Sequence, residues 1–252
     1  MELFDLHAHV LPGVDDGPVD LEETVETLRV AHAGGTRSLV ATSHMFLRSL
    51  HTPAFRLREV FEETCERLGE LSSSRPDCGF LSEMGLALGA ENYLSTEFLL
   101  ALEEGEVLTL GGGKAVLVEF NPFLSFDIMK NALQRILDEG YQPVLAHVER
   151  YRIFERSSTR LEELVEMGCR AQINADSFLG SFASSLRRKS VDLLKRGVVT
   201  LVASDMHNAD VRGSRLGEAA RVLVKRFGEA RAAEWFRENP LELVPVPPRL
   251  GE

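Results

Sequence analysis

An alternation runs along most of this chain, in which short runs rich in Leu, Val and Ala recur between longer amphipathic stretches. The short runs fall at residues 3–6, 38–41, 86–90, 116–119, 144–147, 171–173 and 198–202. They are mostly apolar at successive positions, as strands buried on both faces are, so parallel strands are expected. The longer stretches have helical spacing. The first opens at Asp20 with Glu23 three residues on, a capping-box arrangement, buries Leu21, Val25 and Leu28, and stops at Gly34-Gly35. Others are expected at 53–71, 126–138, 159–167, 184–196 and 216–227. Repeated strand–helix units require right-handed crossovers and a parallel barrel or sheet.

A chain of 252 residues fits a single α/β domain, and no repeat, low-complexity tract or Pro/Gly/Ser-rich linker divides it. Pro245-Val246-Pro247-Pro248 reads as a docked or frayed tail. With 28 Lys and Arg against 39 Asp and Glu the net charge is −11, which argues against nucleic acid or an anionic membrane as partner. A phosphorylated substrate would need a locally cationic site. Cys65, Cys78 and Cys169 are far apart and form no C-x-x-C pair, as expected of a reduced cytoplasmic protein. No signal-like segment opens the chain and no apolar run approaches ~18 residues, so neither export nor membrane insertion is expected.

The candidate chemistry sits at the strand ends. His7 and His9 close the first strand at i and i+2, on one face about 7 Å apart, a natural spacing for two ligands converging on one metal. Asp205 and His207 repeat that spacing after the last strand, His44 follows the second, Glu91 the third, Glu119 the fourth and His147 the fifth. In a parallel barrel these are the positions that gather an active site. Glu91 and Glu119 end apolar strands, where an unpaired carboxylate is expensive and a cation is the usual compensation. Imidazole and carboxylate without thiolate suit Mn, Fe or Zn. His32, within a helix, and His51, in a loop, read as structural.

Other phosphate chemistries are excluded by position. A cysteine phosphatase needs C-x5-R, yet Leu71, Met84 and Ala175 stand six residues beyond the three cysteines. Gly111-Gly112-Gly113-Lys114 lacks the first Gly and the Ser or Thr of a phosphate loop, having Leu108 and Ala115 there, and reads as a loop into the fourth strand.

The segments His7-Ala8-His9, Asp15-Asp16-Gly17, Gly89-Ala90-Glu91, Val118-Glu119-Phe120, His147-Val148-Glu149-Arg150-Tyr151 and Ser204-Asp205-Met206-His207-Asn208, with Arg212 beyond, resemble the polymerase-and-histidinol-phosphatase (PHP) superfamily. More narrowly, they resemble its bacterial manganese-dependent protein tyrosine phosphatases, encoded with capsule or exopolysaccharide genes. The resemblance runs from the first strand to about Arg212 and implies a distorted seven-stranded (βα) barrel, a single PHP-like domain over 1–252 with a short C-terminal tail, and three divalent metals, Mn first and Fe or Zn next. His7, His9, Glu91 and Asp205 would hold the first, Glu91, Glu119 and His147 the second, and Asp16, His44 and His207 the third. The choice of Asp16 over Asp15 rests on the resemblance alone.

Such a cluster would carry net positive charge in an acidic protein, more so if Arg150 and Arg212 face it, and would clamp a phosphoryl group while a shared hydroxide attacks. The two arginines are the catalytic candidates beside the metals, holding phosphoryl oxygens as charge shifts. The expected function is hydrolysis of phosphotyrosine, in the tail of an autophosphorylating tyrosine kinase. A small-molecule phosphatase of the histidinol-phosphate type and a noncatalytic metal-binding regulatory module are the alternatives.

Overall fold

The computed structural model describes residues 1–47, 49–155, 158–179 and 184–251, and among them the alternation becomes nine strands in two sheets. One sheet has the order β1 (Leu3–Ala8), β2 (Thr36–Ala41), β4 (Gly85–Leu88). The other runs β3 (His44–Met45), β5 (Glu91–Tyr93), β6 (Ala115–Glu119), β7 (Gln142–Leu145), β8 (Arg170–Asn174), β9 (Leu201–Ala203). Every neighbouring pair in both is parallel, so the α/β class expected from the alternation is the one observed.

The expected seven-stranded barrel is not present as one closed ladder, because two of the seven strands break before their ends. The second splits into β2 and β3 at Thr42-Ser43, and the third into β4 and β5 at Gly89-Ala90. Hydrogen bonds continue through the breaks. The Gly89 N–H donates to the Ala41 carbonyl at 2.9 Å, and the Glu91 N–H is shared between the Thr42 and Ser43 carbonyls at 3.2 and 3.1 Å. Gly89 permits the kink: a Cβ there would lie 2.9 Å from Val40 Cγ1 and 3.0 Å from Leu110 Cδ2. On the far side Ala8 bridges Met206 in parallel, with the His9 N–H donating to the Met206 carbonyl at 2.8 Å.

The helices are α1 (Leu21–Ala33), α2 (Ala54–Ser74), α3 (Thr96–Glu103), α4 (Phe126–Asp138), α5 (Arg152–Glu155), α6 (Ser158–Glu166), α7 (Ser184–Lys195) and α8 (Leu216–Phe227), followed by a helical stretch over 229–243. In α1 the Asp20 carboxylate accepts the Glu23 N–H at 2.9 Å, and Glu23 reaches back to the Val19 N–H at 2.9 Å, one residue earlier than a capping box requires. The short α3 is capped by Ser95, which accepts the Phe98 N–H at 3.1 Å. Val25, Leu28 and Ala31 of α1 pack with Leu39 and Leu86, while Leu133, Ile136 and Leu223 pack with Val116, Val118 and Val202. Phe4, Leu6, Val40, Leu117, Val144 and Leu201 form a third cluster, drawn from β1, β2, β6, β7 and β9. Cutting one of these fully buried leucines to Ala costs ~2–5 kcal/mol.

The tail is docked. Arg249 bridges Gly85 in antiparallel fashion, and the Leu250 N–H donates to the Met84 carbonyl at 2.9 Å. Among the described residues no helix is long and apolar enough to cross a membrane.

Candidate metal centre

The C-terminal ends of the strands converge on one cluster of imidazoles and carboxylates. His7 lies on β1 and His9 just beyond it, His44 opens β3, Glu91 opens β5, and Glu119 closes β6. His147 stands two residues past β7, Asp205 and His207 follow β9, and Asp16 comes from the loop after β1. Glu91 is at the middle. Its Oε2 lies 3.5 Å from His7 Nε2, 3.4 Å from His9 Nε2 and 3.1 Å from His44 Nδ1, and its Oε1 lies 2.9 Å from His147 Nε2. Asp205 Oδ1 is 3.5 Å from His7 Nε2 and 3.7 Å from His9 Nε2. Asp16 Oδ1 faces His207 Nε2 at 3.2 Å and His44 Nε2 at 3.5 Å.

Among the described residues, the sets whose donor atoms all lie within 4.8 Å of one another are His7/His9/Glu91, His9/Asp16/His44/His207 and His44/Glu91/Glu119. All three differ from the expected groupings: the first lacks Asp205, the second adds His9, and the last has His44 where His147 was expected, although His147 Nε2 lies 3.8 Å from Glu119 Oε1. Asp15 stands behind His9 rather than among the converging atoms.

Backbone strain marks the same place. Phe46 (φ 64°), His147 (φ 31°) and Asp205 (φ 55°) are the non-glycine residues in the left-handed region among those described, and each lies at or just past the exit of a strand that leads to the cluster. Such conformations cost about 1–3 kcal/mol apiece and persist where the surroundings over-determine them.

Three rings are held from behind by oxygen. His9 Nδ1 donates to Asp15 Oδ2 at 2.8 Å, His207 Nδ1 to the Asp205 carbonyl at 2.9 Å, and His7 Nδ1 to Gln172 Oε1 at 3.3 Å. In the neutral ring that leaves each Nε2 a bare lone pair facing the cluster. His7 Nε2 and His9 Nε2 then oppose each other at 3.3 Å, beside Glu91 and Asp205. Lone pairs and carboxylates packed this way need positive charge between them, and a divalent cation fits the donor set. Buried Glu119 Oε2 and His147 Nδ1 have no hydrogen-bond partner.

The proton equilibria report the negative field of the carboxylates, which draws protons onto imidazole. Burial pushes the Glu91 carboxyl up, but His7, His147 and His44 outweigh it and hold Glu91 well below the carboxylate range. Glu119 moves the other way, raised by burial and by the Glu91 charge. For His9, burial disfavours the cation, yet Asp15 and Glu91 raise it well above its ordinary value. Asp15 itself, despite burial, is held at about 2 by the His9 ring.

Both candidate arginines reach the rim, where each pairs with a cluster carboxylate. Arg150 Nη2 is 2.9 Å from Asp205 Oδ2, and Arg212 Nη1 is 2.8 Å from Asp16 Oδ2. His32 pairs with Glu83 and His51 accepts the Phe46 N–H, both outside the cluster. The cysteines are free thiols, and burial pushes Cys65 and Cys169 up to about 12.

Several residues absent from the sequence-based expectation support the centre. Asp15 is one. Asp5, fully buried, accepts the Ser204 N–H at 3.0 Å and so ties β1 to the end of β9. Glu149 accepts the Asn174 N–H and the Ser177 hydroxyl at 3.1 and 2.8 Å. Gln172 and Asn174 repeat the i, i+2 spacing of His7 and His9 inside a strand, a signal visible in the sequence.

A buried imidazole–carboxylate centre at the C-terminal edge of a parallel α/β scaffold is that of a metallohydrolase. Likeness to known proteins narrows the class. The chain belongs to the capsular polysaccharide synthesis family CpsB/CapC, which it matches over residues 3–245. It is 33% identical over 247 residues to tyrosine-protein phosphatase CpsB of Streptococcus pneumoniae, covering 96% of this chain and 98% of the relative. To tyrosine-protein phosphatase YwqE of Bacillus subtilis it is 32% identical over 230 residues, covering 90% and 85%. A structure solved in work on YwqE from B. subtilis and CpsB from S. pneumoniae, described as unique metal-dependent tyrosine phosphatases, matches with a TM-score of 0.86 at 29% identity, covering 99% of this chain and 98% of that one.

Proposed function

We propose that this chain is a metal-dependent protein-tyrosine phosphatase acting in capsule or exopolysaccharide regulation. The observation that carries the reading is the convergence of imidazole nitrogens from three strand exits on Glu91, in a chain related along nearly its whole length to tyrosine-protein phosphatases. Its substrate is a phosphotyrosine protein, in our reading the tail of an autophosphorylating tyrosine kinase, and the enzyme works in the cytoplasm without a nucleic-acid or membrane partner. The whole chain acts as one PHP-like domain. The two sheets work as one distorted seven-stranded barrel, a reading supported by the hydrogen bonds through both strand breaks, the Ala8–Met206 bridge and the third core cluster.

Three divalent metals, manganese by preference, would be held by His7, His9, Glu91 and Asp205, by Glu91, Glu119 and His147, and by Asp16, His44 and His207. When bound, such ions polarise a phosphoryl oxygen and supply hydroxide near neutral pH. The chain's own part is positional. Arg150 and Arg212, half-exposed above the cluster, turn from Asp205 and Asp16 to the non-bridging phosphoryl oxygens and bind them by charge-assisted bonds. A phenol leaves with a pKa of ~10, several units below an alkyl alcohol, so tyrosine departs with little proton donation.

The test compares kcat/KM on peptides of one sequence bearing phosphotyrosine or phosphoserine, with manganese and with chelator. Manganese-dependent preference for phosphotyrosine is expected. Equal values, or a preference for phosphoserine, overturn the assignment.

A further inference from the structure

β8 contributes no ligand to the candidate centre, yet two of its side chains face it and are almost wholly buried. Gln172 is 0% exposed and Asn174 3%. Gln172 Oε1 accepts the His147 backbone N–H at 2.8 Å and lies 3.3 Å from His7 Nδ1. Gln172 Nε2 donates to Asn174 Oδ1 at 2.8 Å, and Asn174 Nδ2 donates to Asp205 Oδ2 at 2.8 Å. Three residues assigned above to metals, from the exits of three different strands, therefore meet on one pair of amides.

The sense of this chain of hydrogen bonds is fixed at both ends. A backbone N–H can only donate, so the Gln172 atom facing His147 is the carbonyl oxygen. The Gln172 amide nitrogen must then face Asn174, whose oxygen receives it. That leaves the Asn174 amide nitrogen for Asp205, and an ionised carboxylate can only accept. Since Gln172 Oε1 accepts from every neighbour, His7 must carry its proton on Nδ1 and present Nε2 bare to the cluster. We infer that Gln172 and Asn174 form an amide ladder whose role is to position the metal ligands, setting the tautomer of His7 and the rotation of Asp205 for a divalent cation. Resting as it does on the proposed metal-dependent function, the ladder adds a neutral counterpart to the Asp15 carboxylate that orients His9.

The first measurement needs no substitution. In 15N-histidine-labelled protein stripped of metal, at a pH where the rings are neutral, His7 should show the Nδ1–H tautomer; an Nε2–H signal overturns the ladder. The second uses Gln172→Met, which keeps the side-chain length and removes both polar groups, and Asn174→Leu. Each should weaken manganese binding, read by chelator competition, by ~10–100-fold. Gln172→Met should also populate the other His7 tautomer, whereas Gln172→Glu, which retains an acceptor, should not. Because the ladder acts as one unit, the double variant should bind no worse than the weaker single one. Folded variants with wild-type manganese affinity and an unmoved His7 signal overturn the inference while leaving the phosphatase intact. Wild-type protein that binds no manganese instead overturns the proposed function, and the metal-free tautomer still reports on the ladder.

Discussion

The two flanks of the cluster are built differently. On the side of β1 and β9, the rings of His7, His9 and His207 are each held by an oxygen acceptor behind them. On the side of β3, β6 and β7, His147 Nδ1 and Glu119 Oε2 have no hydrogen-bond partner, and His44 Nδ1 faces only carboxylates of the cluster. A ligand locked from behind meets a metal at little entropic cost, while a ligand free to turn must be ordered by the metal itself. The centre therefore has a preorganised half and an adaptable half.

The bluntest way to break that contrast is to remove the one residue both halves share. Glu91→Gln is expected to cut turnover by ~10³-fold or more and to lower metal content, beyond what one preorganised donor supplies; elemental analysis beside phosphotyrosine kinetics checks it. Arg150 stands over the ordered half and Arg212 over Asp16. Alanine at either should cost ~10²-fold or more in kcat/KM, the ~2.7–4 kcal/mol of one preorganised donor corresponding to ~10²–10³-fold, with metal content unchanged and only partial rescue by Lys. Wild-type kinetics would leave phosphate recognition to the metals. A finer probe is Asp15→Asn, which weakens the hold on His9 and should lower metal affinity by ~10–100-fold. In stepwise chelation, metal should leave the His44/Glu119/His147 side first. Simultaneous loss would erase the distinction between the halves.

The smallest effect is expected far from both. Replacing Cys65, Cys78 and Cys169 together should leave turnover largely intact. With Cys65 and Cys169 pushed up to about 12 by burial, the thiolate fraction at pH 8 is ~10⁻⁴, so alkylation should be slow and should rise about tenfold per pH unit. Rapid inactivation by iodoacetamide at pH 8 would contradict this.

The ligand candidates were legible because chemistry-bearing residues at the ends of apolar strands are conspicuous: Glu91 and Glu119 end runs that contain nothing else able to titrate, and His7 and His9 close a run in which Asp5 alone does. Asp16 was legible only through resemblance, since composition and spacing treat it like its neighbour Asp15. The strand breaks were hidden, because 86–90 is uniformly apolar and periodicity does not register a kink that depends on Gly89 meeting Val40 and Leu110. The helix α3 escaped because a run as short as Phe98-Leu99-Leu100 has no reliable period. Gln172 and Asn174 were in plain view, but amides do not announce a charge, and their role depends on which neighbours the fold brings opposite them.

The left-handed backbone at His147 and Asp205 carries an evolutionary consequence. Glycine is the residue that would relax either turn most, and glycine there would also delete the side chain that the turn exists to present. Selection for a sturdier protein and selection for a working one therefore pull in opposite directions at these two positions. In a library screened only for thermal tolerance, such substitutions should be enriched among survivors that have lost activity.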